Sequence, residues 1–313
     1  MQGLLDGDII VFRCGFAAER NIWFLGWDPE SVNKADPDQT PVFKENKAFD
    51  YKRDAMEHLD KVCPGKFSRV EDKDYTLWSE RELEPLSHAL HNVKKTINTI
   101  CAANDLNPET DLTVMLSPGG QTFRHTIGVT RPYKGNRKVS HRPTYEKEIR
   151  DYIIANYVTI VAENEEADDL LGIYQTKLGP YDSIILSIDK DLDQVPGLKY
   201  NFMHNVGYDI TQKQADYNFC TQLLTGDSTD NIPGLPKVGP TGAAKMLHGL
   251  ETYEEMMEEV ARQYQIRAGQ EDWHAYMVEQ GRLLWIRREP DQMWEPPETT
   301  IDDYEMTEEQ LTL

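Results

Sequence analysis

The residues most able to do chemistry in this chain are carboxylates that follow apolar segments. Three acidic groups come directly after such segments, and a fourth lies in a later loop. The set contains no His or Cys, and oxygen-only ligands favour Mg²⁺ or Mn²⁺ over zinc. Two such ions, roughly 3.5–4 Å apart, suit in-line hydrolysis of a phosphodiester. The candidate ligands in these groups are Asp6, Glu166, Asp168, Asp169, Asp189, Asp191, Asp193, Asp227 and Asp230.

The spacing of these carboxylates is compatible with two neighbouring metal sites. In an extended segment Asp189 and Asp191 point to the same side. In a first helical turn Glu166 and Asp169 share a face, while Asp168 points partly away. Each group also has an ordinary explanation, because acids in a first turn favour the helix dipole and an Asp after a strand often forms a turn. Six or more carboxylates at one place would repel one another, and bound cations would remove that penalty.

A basic strip, residues 123–142, contains six Lys or Arg and no acid, although the net charge of the chain is −21. If the segment is helical, Lys134 and Arg137 are neighbours on one face. An ammonium and a guanidinium together suit the scissile phosphate, and Tyr133 could stack a terminal base. The alternative is an ordinary basic loop. Further predicted DNA contacts in the strip are Arg124, Arg131 and Lys138.

A glycine-rich stretch, residues 226–247, is the second candidate phosphate-binding element. Gly234, Gly239 and Gly242 permit tight turns and close approach of the backbone. A glycine-rich turn that leads into a helix offers free backbone amides to a phosphate. Lys237 and Lys245 could add positive charge. The same pattern is also common in loops without a ligand, so its position after Asp227 and Asp230 is what favours function.

Strands alternate with helices along the first two thirds of the chain, which predicts an α/β class with a largely parallel sheet. The carboxyl ends of parallel strands lie at one edge, so the scattered carboxylates could converge there. Predicted strands cover residues 3–11, 111–116, 158–162, 183–188, 199–203 and 208–211. Predicted helices cover residues 50–61, 85–104, 143–156, 163–178 and much of the chain after 212.

The predicted organisation has three parts. Residues 1–211 form an α/β core that includes a polar excursion, residues 28–82, to which we assign no chemistry. Residues 212–288 form a helical region. The acidic tail, residues 289–313, contains nine acidic residues and no Lys or Arg, and we expect it to be disordered or loosely docked.

Composition narrows the class of protein further. The four cysteines form no CxxC pair, which argues against a zinc ribbon and favours reduced, buried thiols. No run of 18 apolar residues is present, and the first residues lack the features of a signal peptide. We therefore expect a cytoplasmic protein.

With these residues identified, the chain resembles the five-prime nuclease and flap endonuclease family, and it is most similar to the stand-alone exonucleases of tailed bacteriophages. No single motif is decisive, but five of them in family order are a strong signal. They reach from the start of the chain to about residue 250. The motifs read LLDGD, FR…YKGNR, EEADD, SIDKDLD and TGDSTDNIPGLPKVGPTGAAK.

The resemblance implies a PIN-like α/β core with two Mg²⁺ ions, which Mn²⁺ could replace, and a helix–three-turn–helix that grips duplex DNA and can hold K⁺. It implies 5'-3' exonuclease or flap endonuclease action on DNA with a five-prime end, nick or flap, and on RNA–DNA hybrids. By this resemblance, the first ion would be held mainly by Asp6, Glu166 and Asp168, and the second mainly by Asp169, Asp189, Asp191, Asp227 and Asp230. Lys134 and Arg137 match the catalytic basic pair. Phage-encoded members would act in the host cytoplasm.

One departure from the family pattern affects the first metal site. Ser117 stands where members commonly carry an Asp, and Asp8 could compensate. We interpret Asp193 as a turn cap rather than a ligand. Two other functions stay open: a non-catalytic, structure-selective DNA-binding protein, and a related nuclease that cleaves RNA. The helix–three-turn–helix stretch argues against the second.

Overall fold

The computed structural model describes residues 1–27, 45–62, 75–136 and 142–298. The chain divides into two compact units. The first unit comprises residues 1–10, 95–141 and 150–313, and the second comprises residues 11–94 and 142–149. The helical region and the main sheet therefore share one unit, whereas much of the excursion belongs to the other.

The first unit is built on a six-stranded sheet with the order β6-β5-β1-β7-β8-β9. All neighbouring strands pair in parallel except β8 and β9, which form an antiparallel hairpin. The predicted α/β class is confirmed. The strands are β1 (Gln2–Asp6), β5 (Leu112–Leu116), β6 (Thr159–Val161), β7 (Ser183–Leu186), β8 (Gly197–Asn201) and β9 (Val206–Ile210).

Strand β1 ends at Asp6, five residues earlier than the apolar run predicts. Helix α1 (Gly7–Ala17) begins at once, and Ile10 and Val11 are buried as helical residues rather than as strand residues. Gly7 lies against strand β5, because an added Cβ would come within 2.7 Å of the Met115 carbonyl oxygen. A continuous apolar run fits a buried strand and a buried helix equally well, which explains the error.

The order of the strands creates a switch point beside β1. From β1 the chain continues to β5 and β6 on one side, and then to β7 and β8 on the other side. The carboxyl ends of β1 and β7 therefore form the crevice in which ligands of such sheets bind. Asp6 is the last residue of β1, and Ser187 directly follows β7.

Three helices of the core, α3, α5 and α6, agree with the predicted ones to within a few residues, whereas α4 was not predicted. Helix α5 begins at Glu146 instead of Pro143, and helix α6 begins at Ala167 because Glu166 is its N-cap. Glu166 and Asp169 form a reciprocal capping box there. The remaining bounds are α3 (Leu86–Ala102), α4 (Arg124–Ile127), α5 (Glu146–Asn156) and α6 (Ala167–Leu178).

The second unit contains a three-stranded antiparallel sheet with the order β3-β2-β4. Helix α2 packs against this sheet, and Leu25, Ala55 and Leu59 form the small core between them. The helix predicted near residues 50–61 is confirmed, but the three strands were not predicted. The elements are β2 (Glu19–Trp27), β3 (Glu45–Phe49), α2 (Lys52–Val62) and β4 (Tyr75–Leu83).

Four helices follow the sheet of the first unit and share one core with Tyr133. Trp294 belongs to this core: only 4% of its surface is exposed, and its ring packs against Phe219. The first part of the acidic tail is therefore docked, and residues 299–313 lie outside the described residues. The helices are α7 (Gln212–Thr225), α8 (Pro240–Met246), α9 (Tyr253–Arg267) and α10 (Trp273–Leu284).

Across the described part of the chain, none of these helices combines the length and the apolar character needed to cross a bilayer.

Candidate active site

Asp6 lies at the switch point of the sheet and is 3% exposed. Its carboxylate accepts the Ser187 hydroxyl hydrogen bond at 2.8 Å and the Ile9 backbone N–H at 3.2 Å. Burial, together with repulsion from Asp8 and Asp189, raises the pKa of Asp6 to about 7. A nearby cation would favour the ionised form of this carboxyl group.

Two more predicted ligands have raised pKa values for the same reasons. Burial, followed by repulsion from Asp6 and Asp189, raises the pKa of Asp168 well above its usual range. Burial and repulsion from Asp189 and Asp227 raise the pKa of Asp191 to about 7. These mutual effects show that carboxylates from strand ends, a helix start and a distant loop share one electrostatic environment.

The Asp189–Asp191 segment is not extended, which corrects the predicted geometry. Asp191 begins a short 3₁₀ helix, and its backbone N–H donates to the Asp189 carboxylate at 2.8 Å. The two side chains therefore belong to one tight turn after β7.

Asp193 does not cap a turn, because its carboxylate contacts the buried Lys199 ammonium at 3.4 Å and accepts a hydrogen bond from the Tyr208 hydroxyl. Sequence reasoning missed Lys199, because no motif around it in the sequence indicates that it pairs with Asp193.

Asp169 and Arg124 are committed to each other, so neither has the predicted role. Both are buried, and the guanidinium donates to both carboxylate oxygens at 2.6 and 2.8 Å. Burial would raise the pKa of Asp169, but Arg124 outweighs this effect and lowers it. Asp169 also accepts the Arg287 backbone N–H, and Arg124 donates to the Leu283 and Trp285 carbonyls. Asp169 is thus a structural residue, and Arg124 cannot reach DNA.

Lys134 and Tyr133 lie in a four-residue turn rather than in a helix. The Lys134 ammonium contacts Glu166 Oε1 at 2.5 Å and lies 3.7 Å from Asp230 Oδ2. Tyr133 is buried, and its hydroxyl donates to the same two carboxylates. Tyr133 therefore braces the site and has no exposed face on which a base could stack. Arg137 and Lys138 lie outside the described residues.

Ser117, at the position of the missing family Asp, has a structural function of its own. Its hydroxyl oxygen accepts the Ala167 backbone N–H at 2.9 Å, at the start of α6. Asp8 accepts the Ser117 backbone N–H and pairs with Arg150 at 3.1 Å. Asp8 is thus paired with an arginine that sequence reasoning did not single out, and its role as a substitute ligand stays a prediction.

The loop after α7 carries Asp227 and Asp230 and depends on two glycines. Gly226 and Gly234 have φ values of +71° and +59°, and an added Cβ on Gly234 would lie 2.3 Å from the Gly226 nitrogen. The loop itself requires Gly234, so a DNA contact does not explain it. By contrast, nothing lies within 4 Å of a Cβ added to Gly239. Arg131, Lys237 and Lys245 are exposed, as a DNA contact requires.

The carboxylates of the candidate site have the negative charge that divalent cations need, but they are not arranged as a complete ligand shell. Among the described residues, three cations pair with four of the carboxylates: Arg124 with Asp169, Lys134 with Glu166 and Asp230, and Arg150 with Asp8. No three acidic, His or Cys side chains in the described ranges surround one point as ligands. In these ranges the predicted ligands that form no ion pair are Asp6, Asp168, Asp189, Asp191 and Asp227.

Comparison with known proteins identifies relatives of this chain. A 5'-3' exonuclease of Buchnera aphidicola is 27% identical over 169 residues, which are 50% of this chain and 55% of that protein. The Shewanella halifaxensis flap endonuclease Xni is 31% identical over 32% of this chain and 44% of its own length. Bacillus subtilis DNA polymerase I is 30% identical over 48% of this chain and 19% of its own length.

The chain is similar to five-prime nucleases. The resemblance inferred from its motifs is confirmed by these named relatives, although the chain spans only about half, or less, of each of them. No protein-family profile matches the chain. A structure of T5 5'-exonuclease with bound zinc aligns with 64% of this chain and 79% of that chain, at 18% identity and a TM-score of 0.44.

Proposed function

We propose that the protein is a metal-dependent 5'-3' exonuclease or flap endonuclease that hydrolyses DNA at five-prime ends, nicks or flaps. The observation that carries the proposal is the group of five carboxylates without an ion pair in the described part of the chain, adjacent to the Lys134 turn. Three of these carboxylates have raised pKa values. Two Mg²⁺ ions, which Mn²⁺ could replace, would offset this charge.

Each part of the chain has a separate task in this proposal. Asp6, Asp168, Asp189, Asp191 and Asp227 would hold the ions, with Glu166 and Asp230 as ligands that also hold Lys134. When bound, the ions supply an activated water nucleophile and stabilise the attacking and leaving oxygens. The Lys134 ammonium would offset negative charge that develops on the phosphate. Arg137 is the proposed second cation.

Duplex DNA would bind along the glycine-rich stretch and the exposed cations near it. Gly239 is the N-cap of α8, and its open surroundings would allow a phosphate to approach the backbone closely. Phosphate contacts carry little sequence information, so we expect low sequence specificity and an affinity that falls with salt. A K⁺ ion in this region, RNA–DNA cleavage and a cytoplasmic location stay predictions from the sequence.

A cleavage assay tests the proposal. The protein is incubated with a duplex labelled at its five-prime end, a nicked duplex and a five-prime flap, with Mg²⁺, with Mn²⁺ or with EDTA. We expect release of labelled nucleotides or flaps only with a divalent ion. The Asp189→Asn variant serves as the matched control, and it should bind the flap but not cut it. Binding without any cutting would instead indicate the non-catalytic DNA-binding protein, and cutting of RNA alone would indicate the RNA nuclease.

A further inference from the structure

The turn that carries Lys134 is fastened to the loop that carries Asp230 by side-chain amides. The Asn231 amide donates to the Pro132 carbonyl at 2.9 Å, and the Asn136 amide donates to the Ser228 carbonyl at 2.6 Å. Between them, the Lys134 backbone N–H donates to the Asp230 carbonyl at 2.9 Å. Three hydrogen bonds therefore join two segments that lie about a hundred residues apart in sequence.

The backbone on both sides of this clamp adopts an uncommon conformation. Lys134 has a φ of +56° and Asn231 a φ of +64°. Asn tolerates this region, but Lys rarely adopts it, and such a residue persists only when its surroundings hold it there. The Pro132 carbonyl accepts both the Gly135 N–H, which closes the turn, and the Asn231 amide. Asn231 thus holds the turn at its closing hydrogen bond.

We infer that Asn136 and Asn231 are positioning residues that set the location of the Lys134 ammonium relative to the metal-binding loop. This inference rests on the proposed function and deepens it. Each side-chain amide donates its hydrogen bond to a backbone carbonyl. Each Asn therefore affects the reaction through the position of Lys134 and does not contact the phosphate. Because Asp230 lies in the clamped loop, a movement of that loop carries the Lys134 turn with it. The Lys134 ammonium and Asp230 therefore move together.

The test uses Asn231→Gly, which keeps the freedom to adopt positive φ but removes the amide, and Asn136→Ala, whose side chain is exposed. The matched control is Asn205→Gly: Asn205 also has positive φ, at +55°, and its side-chain oxygen accepts a hydrogen bond from the Tyr200 hydroxyl. Cleavage of a five-prime-labelled flap gives kcat and KM, and fluorescence anisotropy in EDTA gives the affinity for the same DNA.

We expect kcat to fall by about 10- to 100-fold in both clamp variants, since small displacements of a catalytic group have effects of this size. KM and the DNA affinity should stay within about threefold of wild type, and Asn205→Gly should cleave like wild type. A residue that merely stabilises the fold would lower the melting temperature, and the apparent kcat would then fall in proportion to the fraction of protein that still binds DNA.

Combination with Lys134→Ala gives the sharper readout. If the amides act through Lys134, adding Asn231→Gly or Asn136→Ala to Lys134→Ala lowers kcat no further. Additive losses, or single variants with the kcat of wild type, would overturn the inference while leaving the nuclease assignment intact. Failure of the wild-type protein to cleave any substrate would instead overturn the proposed function.

Discussion

Asp168 and Asp169 are adjacent in sequence, yet we expect opposite consequences when each is changed to Asn. Asp169 is fully buried and receives two hydrogen bonds from Arg124, which is itself buried. Asp168 is repelled by Asp6 and Asp189. Asp169→Asn should therefore damage the fold, and Asp168→Asn should damage metal binding and cleavage.

The expected size of the Asp169→Asn effect follows from the geometry of the pair. Removing one partner of a buried ion pair costs about 3–5 kcal/mol, because the other charge stays buried. Asn keeps the volume and can still accept one hydrogen bond from Arg124, so we expect the lower end, about 3 kcal/mol. At about 2–4 °C per kcal/mol, the melting temperature should fall by roughly 6–12 °C.

Thermal unfolding in EDTA and in Mg²⁺, together with flap cleavage, measures both effects. In EDTA, Asp168→Asn should melt at or above the wild-type temperature, because a repelled carboxylate is removed. Mg²⁺ should stabilise wild type by mass action and stabilise Asp168→Asn less. If both variants melted like wild type in EDTA and lost cleavage equally, Asp169 would be a metal ligand and our reading of the ion pair would be wrong.

Three further predictions test other parts of the structure. Lys134→Ala should lower kcat by about 10²–10³-fold with little change in DNA affinity, and an unchanged kcat would remove Lys134 from the site. In EDTA, the free energy of unfolding should fall as pH rises from about 4 to 7, because folded Asp6 and Asp191, with pKa values of about 7, hold protons that the unfolded chain releases near pH 4. Mg²⁺ should weaken that slope, and a flat profile in EDTA, measured by urea denaturation, would contradict it. Trp294→Ala should lower the free energy of unfolding by about 3–5 kcal/mol. Equal stability of Trp294→Ala and wild type would show that Trp294 is not part of the core.

Much of the sheet could be predicted because its strands are buried on both faces. Continuous apolar runs such as residues 183–188 indicate parallel strands, and the carboxyl-end rule then places Asp6 and Asp189 at one edge. The same property misled us at residues 7–11, where a helix is equally apolar. The strands of the second unit escaped notice because β2 and β4 pair residues far apart in sequence, from Trp27 with Tyr75 to Glu19 with Leu83, and the sequence between them has no clear period.

The candidate site was harder to predict in detail because partners distant in sequence decide the role of each acid. Asp168 and Asp169 share a motif, but only the fold brings Arg124 to the second of them. Tyr133 looked like a stacking platform because its sequence neighbours are basic, yet it is turned inwards to Glu166 and Asp230. Sequence motifs thus predict the location of the candidate site better than they predict the role of each side chain in it.

The bonds at the end of α10 have a consequence for synthesis of the protein on the ribosome. Arg124 and Asp169, which brace the start of α6, rely on backbone groups of Leu283, Trp285 and Arg287. A nascent chain of two hundred residues already contains the acids of the sheet but not these late groups. The Arg124–Asp169 pair can therefore complete its hydrogen bonds only after Arg287 has been added to the nascent chain.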